Sequence, residues 1–476
     1  MMNFETVIGI EIHCELKTKS KMFSSAANAF DAEPNTNVHV VDLAFPGIMP
    51  VLNKKAVEYA IMASTALNME IDSYVCFDRK NYFYPDLPKG FQITQDKRPI
   101  GKEGYIEIEV DGVKKRIGIE RLHMEEDTAK QLHFQDYTLI NYNRCGVPLI
   151  EIVSKPEIRN GKEAAAYVEK LRSLLLYTGV SDVKMEEGSM RCDVNVSISP
   201  YGSKKFGVKT EVKNLNSVSN VMRAVDFEVE RQKKLLLSGG VVEQETRRFD
   251  ELTKQTVLMR KKTDAVDYKY FTEPNIAPIQ LDENWIKEVQ ASIPELPDVR
   301  FTRYTEKLGL SSYDAQVIIA NKDIAFYFDD VVNACGYAKS AANWIMTSLM
   351  AHLNKNNLEI QDANLPAEHL GKLISMIEEG KINSKQGKQV FELMLSEHKH
   401  PEVIAKEKNM MQISDESVIL AMVVEVLDAN PKAIEDIKNG RTNLVGFLVG
   451  QVIKKSQGKA NPGIVSKLVN KELQNR

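Results

Sequence analysis

An alternating segment near the N-terminus, residues 7–16 (VIGIEIHCEL), constrains the fold more than any other part of the chain. As a β-strand it has two faces, because successive side chains point to opposite sides. The polar face carries Gly9, Glu11, His13 and Glu15, and the other face is apolar throughout: Ile8, Ile10, Ile12, Cys14 and Leu16. Such a strand packs its apolar side against a core. Its polar side is either an ordinary solvated face or a site for a hard cation, and this segment alone favours the solvated face.

The same arrangement recurs further along the chain, and the recurrence favours the cation. Glu151 stands among apolar residues in PLIEIVS, Asp193 alternates with apolar residues in 191–198, and the acidic run HMEED (123–127) ends a predicted hairpin strand. A carboxylate at an apolar strand position is costly unless it has a partner. Carboxylates gathered in this way are typical of a Mg²⁺ site that shares its ion with phosphate. The H-E-x-x-H and Cys/His spacings of zinc sites are absent.

Basic side chains lie between these acidic segments and are candidates for holding phosphate groups: Lys80, Lys89, Arg191, Lys209 and Lys213. Asn214 begins the cap of the following helix, whose N-terminus is itself an anion site. A Walker A loop and the protein-kinase motif set are absent, so ATP would bind on a different platform. The aromatic cluster Tyr82, Phe83, Tyr84 and Phe91 either packs in the core, which is the more common role and the one predicted here, or stacks on a base.

Composition excludes several classes of protein. The 476 residues exceed what one core accommodates, so about two to four domains are expected. The formal net charge of −4 does not indicate a nucleic-acid-binding protein as a whole, although local basic patches are compatible with it. No long apolar run and no secretory signal is present. The five cysteines contain no C-x-x-C pair, which predicts a reducing, cytoplasmic location, and the missing apolar run predicts a chain without membrane association.

Periodicity predicts an α+β fold whose character changes near residue 293. Residues 1–293 mix strands with helices, and hairpin signals such as Asp111-Gly112 indicate largely antiparallel pairing. Helical periodicity dominates afterwards and predicts two all-α segments, 294–405 and 406–476, with a polar stretch between them. The last segment is basic, and its cations form either a solvated face or a phosphate-binding surface: Arg441, Lys454, Lys455 and Lys459.

Several segments, in order along the chain, resemble one known family. They are VIGIEIHCEL, FDRKNYFYPDLPKGFQITQ, LHMEED, NRCGVPLIEIVS, VKMEEGSMRCDVNVS, EVKNLNS, QETRRFD and VGFLVGQVIKKSQGKANP. From Phe4 to the C-terminus the chain resembles the B subunit of the glutamyl/aspartyl-tRNA amidotransferases. The resemblance implies a cradle-shaped kinase domain in residues 1–293, mostly antiparallel and related in fold to glutamine synthetase. Two helical domains follow, and the resemblance implies that the last one contacts tRNA.

The resemblance also implies an ATP- and Mg²⁺-dependent ligase. Members of this family phosphorylate the side-chain carboxylate of Glu on tRNA(Gln), or of Asp on tRNA(Asn), and ammonia then displaces the phosphate. They work in a heterotrimer, in which an amidase-type glutaminase subunit releases the ammonia and a small subunit braces the pair. Phosphoryl transfer requires positioning and positive charge around the phosphate oxygens. A metal held by carboxylates, together with Lys and Arg, supplies that charge.

Carried onto this sequence, the family's metal site implies His13, Glu126 and Glu151 as direct ligands, with Glu11 and Asp193 as ligands directly or through water. The catalytic group is accordingly Glu11, His13, Glu126 and Glu151. ATP is expected at Lys80, Lys89, Arg191, Lys209, Lys213 and Asn214. The tRNA is expected at Arg441, Lys454, Lys455 and Lys459.

The sequence departs from the usual family pattern at positions that include no proposed metal ligand: Cys14, Leu87, Asn141, Thr263, Lys269, Thr272 and Asn275. These departures leave a second hypothesis open, a divergent and catalytically impaired paralogue that binds tRNA or assists assembly. A third hypothesis, a free-standing kinase of small carboxylates, gives the helical tail no use. The intact acidic set favours the enzyme, because a degenerate site is expected to lose such costly charges.

Overall fold

The computed structural model describes residues 3–203, 205–261, 267–413, 415–438, 441, 444–456 and 459–475. The chain forms two compact units, Met1–Pro297 and Asp298–Arg476. The first unit is built on β-sheet and the second is helical, so the predicted α+β class, with a mostly antiparallel N-terminal sheet domain, is confirmed. The domain boundaries at residues 293/294 and 405/406 stay predictions.

The strands of the first unit are, in chain order, β1 (Phe4–Glu15), β2 (Glu70–Ile71), β3 (Tyr74–Val75), β4 (Asp78–Asn81), β5 (Phe91–Thr94), β6 (Gly101–Val110), β7 (Val113–Glu126), β8 (Lys130–His133), β9 (Thr138–Asn141), β10 (Pro148–Ser154), β11 (Met190–Pro200), β12 (Thr210–Lys213), β13 (Glu245–Asp250), β14 (Gln255–Lys261), β15 (Phe271–Thr272) and β16 (Ile279–Gln280). Nine of them form one sheet in the order β14-β13-β12-β11-β1-β10-β7-β6-β2. The others form a three-stranded sheet, β15-β4-β5, and the pairs β16-β3 and β8-β9. Within the large sheet, β12 and β13 run parallel and the other described pairs are antiparallel.

Strand β1 is the central strand of the large sheet, and the alternation predicted for residues 7–16 is confirmed. Its apolar face is buried in the core. β1 pairs with β10 along one edge and with β11 along the other. In this register His13 lies opposite Glu151 and Glu11 lies opposite Asp193, and these side chains share the polar face of the sheet. The pairing thus brings polar side chains from distant segments of the chain to one face.

The helices of the first unit are α1 (Lys54–Ala66), α2 (Gly161–Thr178), α3 (Val218–Leu237) and α4 (Glu283–Ala291). Their buried side chains join those of β1 in one core, so they cover the apolar face of the large sheet. Asn160 caps α2 by accepting a hydrogen bond from Glu163 N at 2.9 Å. Gly179, with φ of 75°, ends this helix in the left-handed conformation. The stop predicted at Gly179 is confirmed, because glycine adopts this conformation without strain.

From Pro297 onwards the described chain is helical. The helices are α5 (Pro297–Thr302), α6 (Ser312–Ile319), α7 (Lys322–Cys335), α8 (Ala338–Trp344), α9 (Met350–Asn356), α10 (Ala367–Glu378), α11 (Ser384–Glu397), α12 (Pro401–Glu407), α13 (Glu416–Asp428), α14 (Pro431–Lys438), α15 (Leu444–Lys455) and α16 (Pro462–Asn475). Short π-helical segments follow α5 (Arg303–Lys307) and join α8 to α9 (Ile345–Leu349), and Ile360–Ala363 is a 3₁₀ turn. Helices α13, α15 and α16 enclose a small core of their own. Among the described helices, none combines the length and apolarity that crossing a membrane requires.

Candidate metal centre

His13 lies at the centre of an acidic group on the open face of the large sheet. Its Nε2 atom is 3.3 Å from Glu151 Oε2 on β10 and 3.9 Å from Glu125 Oε1 on β7. One ligand atom from each of these residues lies within 4.8 Å of the others. Because strand side chains alternate, the pairing of β1 with β10 and of β10 with β7 brings the three together.

A second imidazole, that of His123, adjoins these carboxylates. Its Nε2 atom is 3.5 Å from Glu151 Oε2 and 3.7 Å from Glu125 Oε2. Its Nδ1 atom is buried and has no hydrogen-bond partner among the described residues. Buried polar atoms are normally paired, so an orphaned one within a charged group is typical of a functional site rather than of a structural ion pair. We refer to His13, His123, Glu125 and Glu151 as the His13 group.

The charges of the His13 group shift the pKa values of its members. Burial alone would lower the pKa of His13, but the hydrogen bond with Glu151 and the surrounding carboxylates raise it to about 9. Burial would raise the pKa of Glu151, but His123 and His13 hold it well below its usual range. At neutral pH a protonated His13 imidazole therefore pairs with the ionised carboxylate of Glu151, and a divalent cation would bind in competition with that proton.

A second acidic group adjoins the first along β1. Glu11, Asp193 on β11 and Glu211 on β12 have carboxylate oxygens within 4.8 Å of one another. Lys213 pairs with Asp193 and its Nζ lies 3.3 Å from Glu211 Oε1, while Asn195 Nδ2 donates to Glu11 Oε1 at 3.0 Å. Burial and the neighbouring carboxylates raise the pKa of Glu11. We refer to Glu11, Asp193 and Glu211 as the Glu11 group, and its excess negative charge suits a cation.

Glu126, which the resemblance implies as a metal ligand, lies on the other face of β7 from Glu125. Its Oε2 atom is 2.6 Å from Lys89 Nζ, and its Oε1 atom accepts a hydrogen bond from Ile93 N at 3.1 Å. The two charged side chains are almost completely buried, with 4% of Lys89 and 2% of Glu126 exposed. The structure therefore brings Glu125, and not Glu126, to the His13 group. It also encloses Lys89 with this carboxylate inside the protein, so the side chain is not open to a phosphate group.

Two other cations predicted to bind phosphate approach the acidic groups. Burial would lower the pKa of Lys80, but the negative charge of Glu125, foremost among its neighbours, raises it. The Nη2 atom of Arg191 donates a hydrogen bond to Asp127 Oδ2 at 2.6 Å. Burial would lower the pKa of Arg191, but the negative charge of Asp127 raises it. Both side chains therefore stay charged beside the acidic groups, as phosphate binding would require.

Two pockets open onto the acidic groups. The first, about 230 Å³ in volume, has Gly9, Val153 and Phe206 in its lining, with Glu11 and Lys209 among its polar members. A β-carbon added at Gly9 would meet nothing within 4 Å, so the missing side chain leaves the sheet face open there. The second pocket, about 500 Å³, is more polar, and its lining includes His13, Arg191, Asp193, Lys213 and Asn214. The predicted residues Lys209, Lys213 and Asn214 are thus all pocket residues.

The four basic residues predicted to contact tRNA belong to the helical unit. Arg441 and Lys455 form ion pairs with acidic neighbours, Lys454 is exposed in the last turn of α15, and Lys459 is half-buried. Solvent-exposed ion pairs contribute little free energy, so they do not prevent such side chains from binding phosphate. Thr263, one of the departures from the family pattern, lies outside the described residues. The other departures include no member of the His13 or Glu11 groups.

Three members of these groups, His123, Glu125 and Glu211, are not among the metal ligands that the resemblance implies, although the first two belong to the acidic run HMEED. A signal for them exists in the strand period. On β7, His123 and Glu125 alternate with buried apolar residues and so share a face, whereas Glu126 falls on the opposite one. On β12, Glu211 is two residues from Lys213 and therefore shares its face. The period of two identifies Glu211, but the buried apolar residues of β7 change parity between Ile119 and Leu122, so His123 and Glu125 follow only when the period is counted from Leu122 and Met124.

Comparison with known proteins places this arrangement in a family. Residues 6–287 match the family model described as the GatB/GatE catalytic domain, and residues 326–473 match the model described as the GatB domain. The chain is also similar to proteins named as the B subunit of aspartyl/glutamyl-tRNA(Asn/Gln) amidotransferase. It is 54% identical to those of Geobacillus thermodenitrificans and Bacillus velezensis over 476 residues, and 52% identical to that of Bacillus cereus over 475 residues, with 100% of both chains covered in each case. The catalytic-domain match contains every member of the His13 and Glu11 groups. The chain therefore belongs to the GatB family.

Proposed function

We propose that this chain is the subunit of a tRNA-dependent amidotransferase that uses ATP to activate the side-chain carboxylate of Glu on tRNA(Gln), of Asp on tRNA(Asn), or of both. The relatives are named as B subunits of such enzymes, which supports the proposal and implies partner chains. We infer that the partners are an amidase-type glutaminase subunit and a small bracing subunit, in the cytoplasm. The overall reaction joins carbon to nitrogen with glutamine as the amide donor, so the protein acts as part of a ligase.

The observation that carries the proposal is the meeting of His13 Nε2 with the carboxylates of Glu125 and Glu151 on the open face of the sheet. Bringing like charges together in a partly buried place costs free energy, and a purely structural role does not require it. Perturbed titratable groups in such a place are typical of active sites. Their position within the segment that matches the GatB/GatE catalytic domain supports the same conclusion.

The donor set fits Mg²⁺. Ligands on opposite sides of a Mg²⁺ ion are about 4.2 Å apart, twice the usual metal–oxygen distance. The ligand atoms of His13, Glu125 and Glu151 spread over at most 4.8 Å, so small side-chain rotations suffice to enclose one ion. These three residues would hold the metal directly, and Glu11 and Asp193 would hold it through water or hold a second ion. A bound Mg²⁺ neutralises charge on the phosphate oxygens of ATP.

Activation is needed because ammonia cannot expel oxide from a carboxylate. In the proposed reaction, a carboxylate oxygen of the aminoacyl group bonds to the γ-phosphorus of ATP while the bond to the bridging oxygen breaks, which gives an acyl phosphate and ADP. Ammonia nitrogen then bonds to the acyl carbon, the bond from that carbon to the phosphate oxygen breaks, and the departing phosphate takes the released proton. The protein mainly contributes positioning and positive charge in this chemistry. Lys80, Arg191 and Lys213 are the residues that we propose for that charge.

The two pockets suit the two ends of ATP. The pocket over Gly9 is the more apolar and fits a purine base, with Lys209 at its edge. The pocket lined by Arg191, Lys213 and Asn214 is polar and fits phosphate groups. Both open onto the acidic groups, so a nucleotide bound in this way would present its phosphates to the metal ligands. A catalytically impaired paralogue would have no use for this combination.

The test is a reconstituted amidation reaction. The chain is co-expressed with its candidate partner subunits, and the complex receives Glu-tRNA(Gln) or Asp-tRNA(Asn), glutamine, ATP and Mg²⁺. We expect ADP formation that depends on the aminoacyl-tRNA, together with the amidated tRNA as product. A complex that binds these tRNAs but forms neither ADP nor amidated product would overturn the proposal and support the paralogue instead.

A further inference from the structure

Two aromatic side chains near the candidate metal centre are exposed to solvent. Phe83 is 88% exposed and Tyr84 is 57% exposed, whereas Tyr82 and Phe91 are half-buried. The core packing predicted for this cluster is therefore wrong for Phe83 and Tyr84. Two large exposed rings at consecutive positions make this segment a candidate apolar patch, and such patches are typical of binding surfaces.

A row of tyrosine rings connects this patch to the interior of the site. The ring centroids of Tyr84 and Tyr82 are 6.4 Å apart, those of Tyr82 and Tyr268 are 6.0 Å apart, and those of Tyr268 and Tyr270 are 6.0 Å apart. Lys80 Nζ lies 5.0 Å from the Tyr268 centroid and 5.9 Å from the Tyr82 centroid. We refer to Tyr82, Phe83, Tyr84 and Tyr268 as the aromatic platform.

Backbone hydrogen bonds hold the aromatic platform in place. Asn81 N donates to Tyr268 O at 3.0 Å, and Tyr82 N donates to Gly90 O at 3.2 Å. The Phe83 ring lies against Gly90, where an added β-carbon would be 3.2 Å from Phe83 Cε1. A flat ligand that stacks on a surface fixed in this way loses little free energy to ordering the protein.

Hydrogen bonds connect the aromatic platform to β7, the strand that carries Glu125. Tyr82 Oη donates to Gln92 Oε1 at 3.4 Å, and Gln92 Nε2 donates to Glu126 O at 2.7 Å. Glu126 directly follows Glu125, a proposed metal ligand. The platform therefore extends from solvent at Tyr84 to the strand that carries this proposed ligand.

We propose that the aromatic platform stacks the unpaired bases at the 3′ end of the aminoacyl-tRNA and thereby guides the attached amino acid to the His13 group. This inference rests on the proposed function. Aromatic rings stack on any base, and unpaired RNA ends are commonly recognised in this way. Lys80, which we also propose for the phosphate charge of ATP, lies beside the Tyr82 and Tyr268 rings, and its positive charge suits a nearby phosphate of the RNA as well. The adenine of ATP is the other source of a base, but the apolar pocket over Gly9 accommodates it separately. The proposal therefore commits the platform to RNA.

The test uses the full chain and two RNA hairpins that copy the acceptor stem. One hairpin keeps the unpaired 3′ end with 2-aminopurine at its last position, and the other ends blunt. We expect the wild type to quench the 2-aminopurine fluorescence and to bind the first hairpin about fivefold or more tightly than the second. Phe83→Leu combined with Tyr84→Leu should abolish both effects. Tyr84→Phe should retain them because it keeps the ring. Tyr201→Leu, at an unrelated side chain that is 78% exposed, should also retain them.

Equal binding of the two hairpins by the wild type, or unchanged quenching in the double variant, would overturn the inference. If the double variant no longer bound the partner subunits but still quenched the 2-aminopurine fluorescence, the platform would be a protein interface. If the double variant bound ATP more weakly but still quenched this fluorescence, the platform would hold the adenine of ATP. Both of these outcomes would also overturn the inference. The RNA assay contains neither ATP nor metal. Absence of tRNA-dependent ADP formation in the wild-type complex would therefore overturn the proposed function alone.

Discussion

Lys89 and Glu126 form a buried ion pair, with Nζ 2.6 Å from Oε2, on the face of β7 opposite to the His13 group. The adjacent residue, Glu125, belongs to that group. Two consecutive glutamates thus have different environments, since one is neutralised inside the protein and the other lies beside two imidazoles. This relationship provides a matched pair of substitutions that separate metal binding from stability.

Glu125→Gln is expected to weaken Mn²⁺ binding by about tenfold or more and to abolish tRNA-dependent ADP formation, because an amide is a poorer ligand than a carboxylate. Glu126→Gln is expected to leave Mn²⁺ affinity near that of the wild type. It should instead lower the free energy of unfolding by about 3 kcal/mol, because Lys89 loses its buried partner. Mn²⁺ titration followed by electron paramagnetic resonance, together with denaturant unfolding, measures both quantities. The reverse pattern would assign Glu126 to the metal, as the family resemblance implies.

Gly9→Val is expected to weaken ATP binding without loss of stability. The site of the added β-carbon is free of contacts within 4 Å, and valine is well suited to a strand. The new side chain would occupy part of the pocket of about 230 Å³. We expect the KM for ATP to rise about tenfold while the KM for aminoacyl-tRNA stays unchanged, by analogy with the cost of overpacking. Gly9→Ala should give a smaller rise. An unchanged KM for ATP in Gly9→Val would mean that the base binds elsewhere.

Glu228 on α3 is expected to make the stability of the protein depend on pH. Its side chain is fully buried and accepts hydrogen bonds from Arg231, Gln232 and Thr256. Burial would raise the pKa of Glu228, but these hydrogen bonds, foremost that of Arg231, hold it below its usual value. A lowered native pKa contributes stability above the unfolded pKa of about 4.3, and this stability is lost as the pH falls through the native value.

We therefore expect Glu228→Gln to lower the free energy of unfolding by about 1–3 kcal/mol at neutral pH. The difference from the wild type should shrink as the pH falls below the unfolded pKa of about 4.3, because the unfolded wild type then takes up a proton that the native carboxylate resists. Thermal unfolding measured from neutral to acidic pH tests this dependence. A difference that stays constant down to the acid limit would exclude the carboxylate charge as the cause.

Lys454 and Lys459 test the helical unit as a tRNA-binding surface. Replacing both by alanine is expected to weaken tRNA binding and to reduce the slope of log affinity against log salt concentration by about one to two units, because each phosphate contact releases counterions. Lys455→Ala serves as the comparison, because it removes one cation instead of two and its effect on the slope should be about half as large. Filter binding over a range of salt concentrations measures the slope. Identical slopes in all variants would mean that these side chains form only a solvated face.

Local chemistry makes much of the fold predictable from the sequence. Asp111 and Gly112 form the predicted hairpin turn with φ values of 52° and 78°, the conformation that such a dipeptide favours. The alternation in β1 and the stop at Gly179 follow from equally local preferences. The order of strands in the large sheet is different, because it depends on packing between segments that are far apart in the chain and carries no signal in any one of them.

The residues of the site also fall into those that a local sequence pattern identifies and those that depend on tertiary contacts. Glu11, His13, Glu151 and Asp193 can be identified because each stands in a segment whose alternation is clear. Glu126 and its neighbour are harder to tell apart, because both lie in an acidic run at the end of a strand, where the register of the face is least obvious. The partnership of Glu126 with Lys89 is a tertiary contact that neither segment indicates, and the exposure of Phe83 likewise depends on what the rest of the fold leaves uncovered.

Strand β1 lies at the N-terminus yet occupies the middle of the large sheet, and its two neighbours begin only at Pro148 and Met190. At a synthesis rate of about 5–20 residues per second, the ribosome takes on the order of 10–40 s to reach Met190. Until Ser154 is made the nascent β1 has neither neighbour, and until β11 follows it keeps one unpaired edge beside its hydrophobic side, which is a template for aggregation. We therefore expect the yield of this protein in a cell to depend on chaperone capacity during translation more than that of a chain whose first strand pairs with its second.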